Sequence, residues 1–216
     1  MHTTRSIIFF SILLLLACNK RAEQPILPPS AEEYSIFAVV IDSVYYSTIL
    51  GEPPPQLVVI TDSTIAETSV DSSMMVRMSG DSRAVYKDRF DFYQKEFPVA
   101  DWLALKGPFN KINFRRFPLS ADSIRLENPF QLLSQDSVRS IFAVNPSHGW
   151  MRFQQRYPQS NGFIGFSRVA FNQARSEAVV YYEHCWDGLG AEGAFALLRN
   201  QNGRWHLIKR IRTWES

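Results

Sequence analysis

The sequence predicts an α+β fold in which an N-terminal helix and shorter helices pack on an antiparallel sheet that ends in a four-strand meander. Apolar residues recur at helical spacing near the N-terminus, directly after Ser30. Four strand-like runs follow one another between Phe163 and Arg212 with short turns between them, and such strands pair antiparallel. Aromatic residues make up 13% of the chain, so large side chains for a core are plentiful.

The first predicted helix begins at a capping box. Ser30 and Glu33 have the spacing of an N-cap and its N3 partner, which satisfy each other's backbone N–H groups. Apolar residues follow on one helical face: Phe37, Val40, Ile41 and Val44. We expect this helix to run to about Ser47, because Gly51 and three consecutive prolines follow it.

Shorter patterns predict the elements of the middle of the chain. Leu57–Thr61 is a continuous β-branched run and is predicted to be a buried strand, and Lys111–Phe117 alternates and is predicted to be another. Three further helices are predicted over Val85–Phe97, Asp136–Phe142 with Ser134 as its cap, and Ser147–Tyr157. The polar segment Ser63–Arg83 is predicted to be mostly loop.

The C-terminal meander is predicted from four runs and one strong turn signal. The runs are Phe163–Phe171, Ala178–Cys185, Ala194–Arg199 and Arg204–Arg212. Asn202-Gly203 is typical of a two-residue type I′ hairpin turn. That turn sets the register of the last hairpin, with Gln201 opposite Arg204, Asn200 opposite Trp205, Arg199 opposite His206 and Leu198 opposite Leu207.

The first 17 residues have the order of a secretory signal peptide. A basic residue, Arg5, precedes an apolar run from Ile7 to Leu16, and the small residue Ala17 follows. The run is shorter than the about 20 residues that a spanning helix needs. Cys18 comes next, and this arrangement resembles the lipobox of bacterial lipoproteins. The resemblance implies cleavage before Cys18, lipid attachment to its sulfur, and a membrane as the partner of that lipid.

This signal divides the chain into three parts. Residues 1–17 are the lipoprotein signal peptide, residues 18–30 are the lipidated cysteine and a proline-containing tether, and residues 31–216 are a single α+β domain. An extended tether of this length reaches roughly 37 Å. We expect the protein in the cell envelope, lipid-anchored to a membrane and facing the periplasm or the cell exterior.

The C-terminal third carries a characteristic order of aromatic and turn residues. It contains Trp150-x-x-Phe153-x-x-x-Tyr157-Pro158, then Gly162-Phe163-Ile164-x-Phe166-Ser167-Arg168-Val169, and later Asn202-Gly203-x-Trp205. Over roughly residues 145–216, this order resembles a domain of unknown function in uncharacterised bacterial lipoproteins. The resemblance implies a fold and a location, and it implies no known reaction.

Charge and cysteine content narrow the classes of function. Loss of residues 1–17 removes one of 23 basic residues and none of the 21 acidic ones, so the mature chain carries a net charge of +1. This near balance argues against a nucleic-acid binder. Cys185 is the only cysteine besides Cys18, and we expect it to be buried as a small apolar side chain. The sequence predicts no metal site and no cofactor.

The last hairpin supplies the first candidate binding surface. In the predicted register one face holds Arg199, Arg204, His206, Arg210 and Arg212, and the other holds Leu198, Trp205, Leu207 and Ile211. We call the first set the basic strip. It could bind an acidic protein or an anionic envelope ligand. The alternative is a plain solvated outer face, which antiparallel sheets commonly have.

The second candidate is the run Glu183-His184-Cys185-Trp186-Asp187. His184, Trp186 and Asp187 are candidate binding residues, and Cys185 beside a base could serve as a nucleophile. Neighbours on a strand point to opposite faces, however, so His184 and Cys185 cannot readily pair there. A hydrolase using Cys185, or His184 with Asp187 or Glu192, requires these groups to converge in one concave pocket.

Together these features predict a lipid-anchored envelope protein that acts as a non-catalytic binding or scaffolding module, with an inhibitor or immunity-type lipoprotein as one form of it. The alternative is a small envelope hydrolase built on Cys185 or on His184, Asp187 and Glu192. No residue is assigned a catalytic role.

Overall fold

The computed structural model describes residues 27–45, 55–66, 98–143, 146–188 and 190–215. Within these ranges four helices lie against one seven-stranded mixed sheet, which confirms the predicted α+β class. The helices are α1 (Ala31–Val44), α2 (Val99–Ile112), α3 (Gln135–Phe142) and α4 (Pro146–Arg156). The strands are β1 (Val58–Thr61), β2 (Phe130–Leu133), β3 (Phe163–Phe166), β4 (Ala170–Phe171), β5 (Glu177–Cys185), β6 (Ala191–Gln201) and β7 (Arg204–Glu215). None of these helices is both long and apolar enough to cross a membrane.

The sheet is antiparallel only in its C-terminal part. Its strand order is β2-β1-β3-β5-β6-β7, with the short β4 pairing β5 beside β3. The C-terminal meander is confirmed, because β5, β6 and β7 pair antiparallel in succession. The prediction of a wholly antiparallel sheet is wrong, because β1 pairs parallel with both β2 and β3. Helices separate these three strands along the chain, and such crossovers permit parallel pairing.

Local sequence patterns correctly predicted the positions of three of the helices. In α1 the Ser30 hydroxyl accepts from Glu33 N at 3.3 Å, and the Glu33 carboxylate accepts from Ser30 N at 3.1 Å, which confirms the capping box. The Ser134 hydroxyl caps α3 by accepting from Ser137 N at 3.1 Å. Helix α4 covers the predicted range to within a residue at each end.

Two elements of the middle of the chain differ from the prediction. The predicted strand Lys111–Phe117 is wrong, because its first two residues end α2 and no strand follows them. Gly107 and Pro108 lie within α2 and weaken its helical pattern. The helix is held by packing, since it buries Leu105 and Phe109 against the sheet. Strand β2 was not predicted, while the predicted helix at 85–97 and most of the predicted loop at 63–83 lie outside the described residues.

Helices cover both faces of the sheet. Helix α1 packs on one face, where Phe37 stacks on Phe166 with ring centroids 4.6 Å apart. Helix α2 packs on the other face over Tyr181, and α3 and α4 pack over Cys185 on that same face. Tyr181 and Cys185 lie four residues apart on β5 and therefore point to one side. The result is three layers, with no face of the meander left entirely to solvent.

The last hairpin has the predicted turn and register near its tip. Leu198 pairs with Leu207, and the three predicted pairs nearer the turn are also present. Gly203 at the turn has φ +82°, as a type I′ turn requires. Beyond this point Leu197 pairs with Lys209, so Ile208 is an extra residue, a β-bulge. The bulge reverses the alternation of side chains from Lys209 to Arg212, and a second register shift follows between Gly193 and Ala194.

Residues at the end of the predicted tether contact the folded domain. Arg168 Nη1 donates to Leu27 O at 2.7 Å, and its Nε and Nη2 donate to the Glu33 carboxylate at 2.7 and 2.6 Å. Pro29 is buried. Residues 167–169, which include Arg168, lie between β3 and β4, so the predicted strand at 163–171 forms two strands instead of one. Leu27 and Pro29 therefore lie against the folded domain.

Candidate ligand-binding pocket

The basic strip does not exist as one surface. Arg199, Arg204 and His206 lie on the α2 side of the sheet, where Arg199 pairs with His206. The bulge at Ile208 turns Arg210 and Arg212 to the α1 side, opposite Ala196 and Ala194. Ile211 points to the α2 side and packs with Phe195 in the core there. This differs from the prediction, which placed Ile211 on the same face as Trp205 and Leu207.

Carboxylates within the domain pair with most of these arginines. Arg199 donates to Glu177 at 2.9 Å, and Arg210 donates to the buried carboxylate of Glu192. Arg212 Nε lies 3.4 Å from Glu192 and also pairs with Glu215. Glu192 is 5% exposed, so two cations beside it compensate a buried charge. These arginines therefore make their observed charge contacts within the folded domain.

The groups proposed for a hydrolase do not converge in one open pocket. Glu192 lies opposite His184 on the neighbouring strand, but both side chains are buried. His184 faces α1 and Cys185 faces α3 and α4, because they are neighbours on β5. The His184 ring donates from Nε2 to Asn161 O at 2.8 Å and lies between Tyr45 and Trp186. Burial lowers the pKa of His184, so the ring is neutral at physiological pH. This histidine has a packing role.

The remaining hydrolase candidates are buried or held in a turn. Cys185 is 1% exposed, and burial, with the nearby Glu183 charge, raises the pKa of its thiol well above its usual value. A protonated, buried thiol is a poor nucleophile. The Asp187 carboxylate accepts from Gly190 N in the turn between β5 and β6, whereas Glu192 is buried beside Tyr182, whose hydroxyl donates to it at 3.0 Å. Cys185 is buried, as expected.

A different site lies where the parallel strands β1 and β2 both end. Seven polar residues line a pocket there: Thr61, Ser63, Thr64, Arg116, Gln135, Arg139 and Glu183. Leu133, Phe163 and Cys185 form its apolar floor. The carboxyl ends of parallel strands are the usual position of ligand sites in open sheets of this kind. The prediction from sequence placed no site here.

Backbone hydrogen bonds hold the wall of this pocket in place. The segment after β1 is bound to β2 through Asp62 N and Leu133 O at 3.0 Å, and to β3 through Ile65 N and Phe166 O at 2.7 Å. Thr64 is bound to the segment after α2, because its hydroxyl accepts from Phe117 N at 2.9 Å. A pocket with such a wall is pre-organised and loses little entropy when a ligand binds.

The pocket is small and mixed in charge. Its volume is about 130 Å³, close to the roughly 150 Å³ of a cavity that admits benzene. It therefore suits a ligand of about six heavy atoms. Arg116 and Arg139 give it two cations against the single carboxylate of Glu183. Among the described residues Arg139 pairs only with Asp136, at 3.6 Å, and both side chains are exposed, so that pair is weak.

Gly165 is the one sequence signal that could have located this pocket. It pairs with Glu183 on the pocket floor, within the otherwise bulky strand Phe163–Phe166. A β-carbon on Gly165 would lie 3.0 Å from Thr61 Oγ1 and 3.3 Å from Ile65 Cδ1. An isolated glycine inside a strand often marks such a close approach. The other lining residues come from distant segments and share no local pattern.

Two further findings bear on the chemistry of the site. Within the described ranges, no cluster of three or more His, Cys, Asp or Glu side chains is placed to hold a metal ion. Comparison of the chain with protein-family models, with curated proteins and with solved structures finds no match in any of the three. The function is therefore argued from the geometry of the pocket. Cys18 lies outside the described residues.

Proposed function

We propose that the protein is a lipid-anchored envelope protein that binds a small carboxylate ligand and catalyses no reaction on it. The pocket at the ends of β1 and β2 carries this proposal, because it combines a pre-organised wall, an apolar floor and two arginines. The order of residues 5–18 supports the lipid anchor. The scattered positions of His184, Cys185 and Asp187 favour binding over hydrolysis.

The side chains of the pocket select the class of ligand. A carboxylate would pair with Arg116 or Arg139, since guanidinium groups bind carboxylates with two parallel hydrogen bonds. The ligand's remaining polar group would be a hydroxyl or an ammonium, because Glu183 and the hydroxyls of Ser63 and Thr61 line the same pocket. The volume limits the ligand to about the size of lactate or alanine.

Binding is tested with lactate, alanine and propionate as probes, by isothermal titration calorimetry and by ¹H–¹⁵N NMR shifts. We expect saturable shifts at residues around Gly165 and Glu183, with propionate the weakest probe because it lacks the second polar group. Arg139→Gln should weaken binding about 10- to 100-fold, the usual effect of losing a charge-assisted hydrogen bond. Arg139 is exposed, so the fold should tolerate this change.

Arg204→Gln is the matched control. Arg204 is an exposed arginine at the hairpin tip, away from the pocket. Equal loss of binding in both variants would indicate non-specific attraction of anions, and the pocket proposal would then fail. Shifts spread evenly over the surface, or no saturation with any of the three probes, would also contradict it.

The anchor is tested separately by expression of Cys18→Ser. The wild-type protein should incorporate labelled fatty acid and float with membranes, whereas Cys18→Ser should do neither. A cleaved Cys18→Ser protein that still floats with membranes would refute lipid attachment at this position.

A further inference from the structure

Exposed apolar and cationic residues surround the point where the tether joins the domain. Leu27 is 71% exposed and Phe114 is 45% exposed, so both present apolar surface to solvent. Lys111 and Arg115 beside Phe114 are also exposed. We call these four residues the Leu27 patch.

Contacts connect the members of the Leu27 patch. Leu27 O accepts from Arg168, whose guanidinium lies 4.7 Å from the centre of the Phe117 ring. Arg115 lies over the same ring, also at 4.7 Å, and over Phe114 at 5.5 Å. From the other side, Leu27 and Ile112 line one shallow groove, and Lys111 precedes Ile112 at the end of α2.

The segment that carries Phe114 holds positive charge only. Residues 110–117 contain one lysine and two arginines and no acidic residue. Two carboxylates at the start of α1 are paired, Glu33 with Arg168 and Glu32 with Arg175. Apolar side chains flanked by lysine and arginine are the composition that binds the headgroup region of anionic bilayers.

The length of the tether determines which face of the domain lies near the membrane. Eight residues separate Cys18 from Leu27, so the two Cα atoms lie at most about 32 Å apart even if the chain is fully extended. A domain of this size has a diameter of about 40 Å. A lipid on Cys18 therefore holds the Leu27 patch close to the bilayer, while the opposite side of the domain stays remote.

We propose that the Leu27 patch docks on an anionic phospholipid surface and orients the anchored domain on the membrane. This inference rests on the proposed lipid at Cys18 for its geometry. Lys111 and Arg115 contact the lipid phosphates, and Leu27 and Phe114 enter the headgroup layer. The lipid supplies the attachment, and the patch supplies the orientation.

The test uses the mature lipoprotein reconstituted into vesicles of phosphatidylglycerol and phosphatidylcholine. Phe114→Cys is labelled with an environment-sensitive fluorophore, and Met151→Cys on α4 is the matched control, since Met151 is 52% exposed. Cys185 is buried and stays unlabelled in the folded protein. Quenchers attached to the lipid headgroup region should quench the probe at position 114 strongly and the probe at position 151 little.

Removal of charge provides the second measurement. Lys111→Gln and Arg115→Gln should each lower the ratio of docked to undocked protein about fivefold, the usual effect of one cation near an anionic bilayer. Arg204→Gln should change nothing, and vesicles of phosphatidylcholine alone should abolish the difference between the two probes.

The outcomes separate this inference from the anchor. Protein that floats with vesicles while both probes are quenched equally, or neither is quenched, overturns the docking of the Leu27 patch and leaves the anchor intact. Protein that does not float at all overturns both. A ratio of docked to undocked protein that is unchanged in both glutamine variants would refute the role of the cations.

Discussion

The Glu33–Arg168 pair offers the sharpest test of the forces that hold the N-terminal segment on the domain. Glu33 is 4% exposed and Arg168 is 6% exposed. The carboxylate also accepts from Val169 N at 3.1 Å and from Ser30 N at 3.1 Å, so its two oxygens are fully used. Glu33→Gln keeps the shape of the side chain but leaves the Arg168 charge without its partner.

The expected cost follows from this burial. Removal of one member of a buried ion pair usually costs about 3–5 kcal/mol, because the remaining charge stays desolvated. Arg168 keeps its hydrogen bond to Leu27 O and its contact with the Phe117 ring. We therefore expect Glu33→Gln to lower the free energy of unfolding by about 3 kcal/mol, the lower end of that range.

Glu32→Gln is the control, because Glu32 is the neighbouring carboxylate in α1 and also pairs with an arginine. Its partner Arg175 has a side chain that is 54% exposed, and such pairs contribute about 1 kcal/mol or less. Both variants are measured by urea denaturation followed by tryptophan fluorescence. A loss below about 1 kcal/mol for Glu33→Gln, or equal losses for the two variants, would refute the assignment of a buried, stabilising pair.

Three other predictions concern the protonation, accessibility and backbone conformation of single residues. Burial and the Glu177 carboxyl raise the pKa of Asp101 from 3.8 to about 6. Between these two pH values the folded state holds a proton that the unfolded state has lost, so the free energy of unfolding should fall as the pH rises through this range. Asp101→Asn should flatten this slope in urea titrations. Iodoacetamide should modify Cys185 only after denaturation, as mass spectrometry will show, and rapid modification of the native protein would contradict its burial. Gly203→Ala should cost about 1 kcal/mol in urea denaturation, because the residue sits at φ +82°; an unchanged midpoint would argue against the type I′ turn.

Local signals in the sequence were sufficient wherever neighbours along the chain determine the structure. The capping box at Ser30 and the Asn202-Gly203 turn each act over a few residues, and both are confirmed. The bulge at Ile208 depends instead on how β7 pairs with β6 over its whole length. A single inserted residue transfers Arg210 and Arg212 to the other face. The prediction that these residues share one face was wrong for this reason, although the predicted register near the turn was correct.

Helix α2 and the pocket could not be predicted, because both depend on contacts between distant segments. Gly107 and Pro108 disfavour a helix locally, and the burial of Leu105 and Phe109 against the sheet outweighs that cost. The pocket joins residues from β1, the segment after α2, α3 and β5. Parallel pairing of β1 with β2 brings these segments together, and such pairing has no turn signal in the sequence.

The segment from Asn113 to Phe117 connects the two proposed surfaces, since Arg115 belongs to the Leu27 patch and Arg116 lines the pocket. It is held at both ends: Asn113 accepts from Arg168 N at 2.7 Å, and Phe117 N donates to the Thr64 hydroxyl at 2.9 Å. Because both ends are held, we expect the segment to keep one arrangement whether or not the Leu27 patch is docked. We therefore expect lactate to bind with the same affinity in phosphatidylglycerol vesicles and in detergent, as measured by calorimetry. A difference of about tenfold, or 1.4 kcal/mol, would mean that membrane docking moves this segment and that the two sites are coupled.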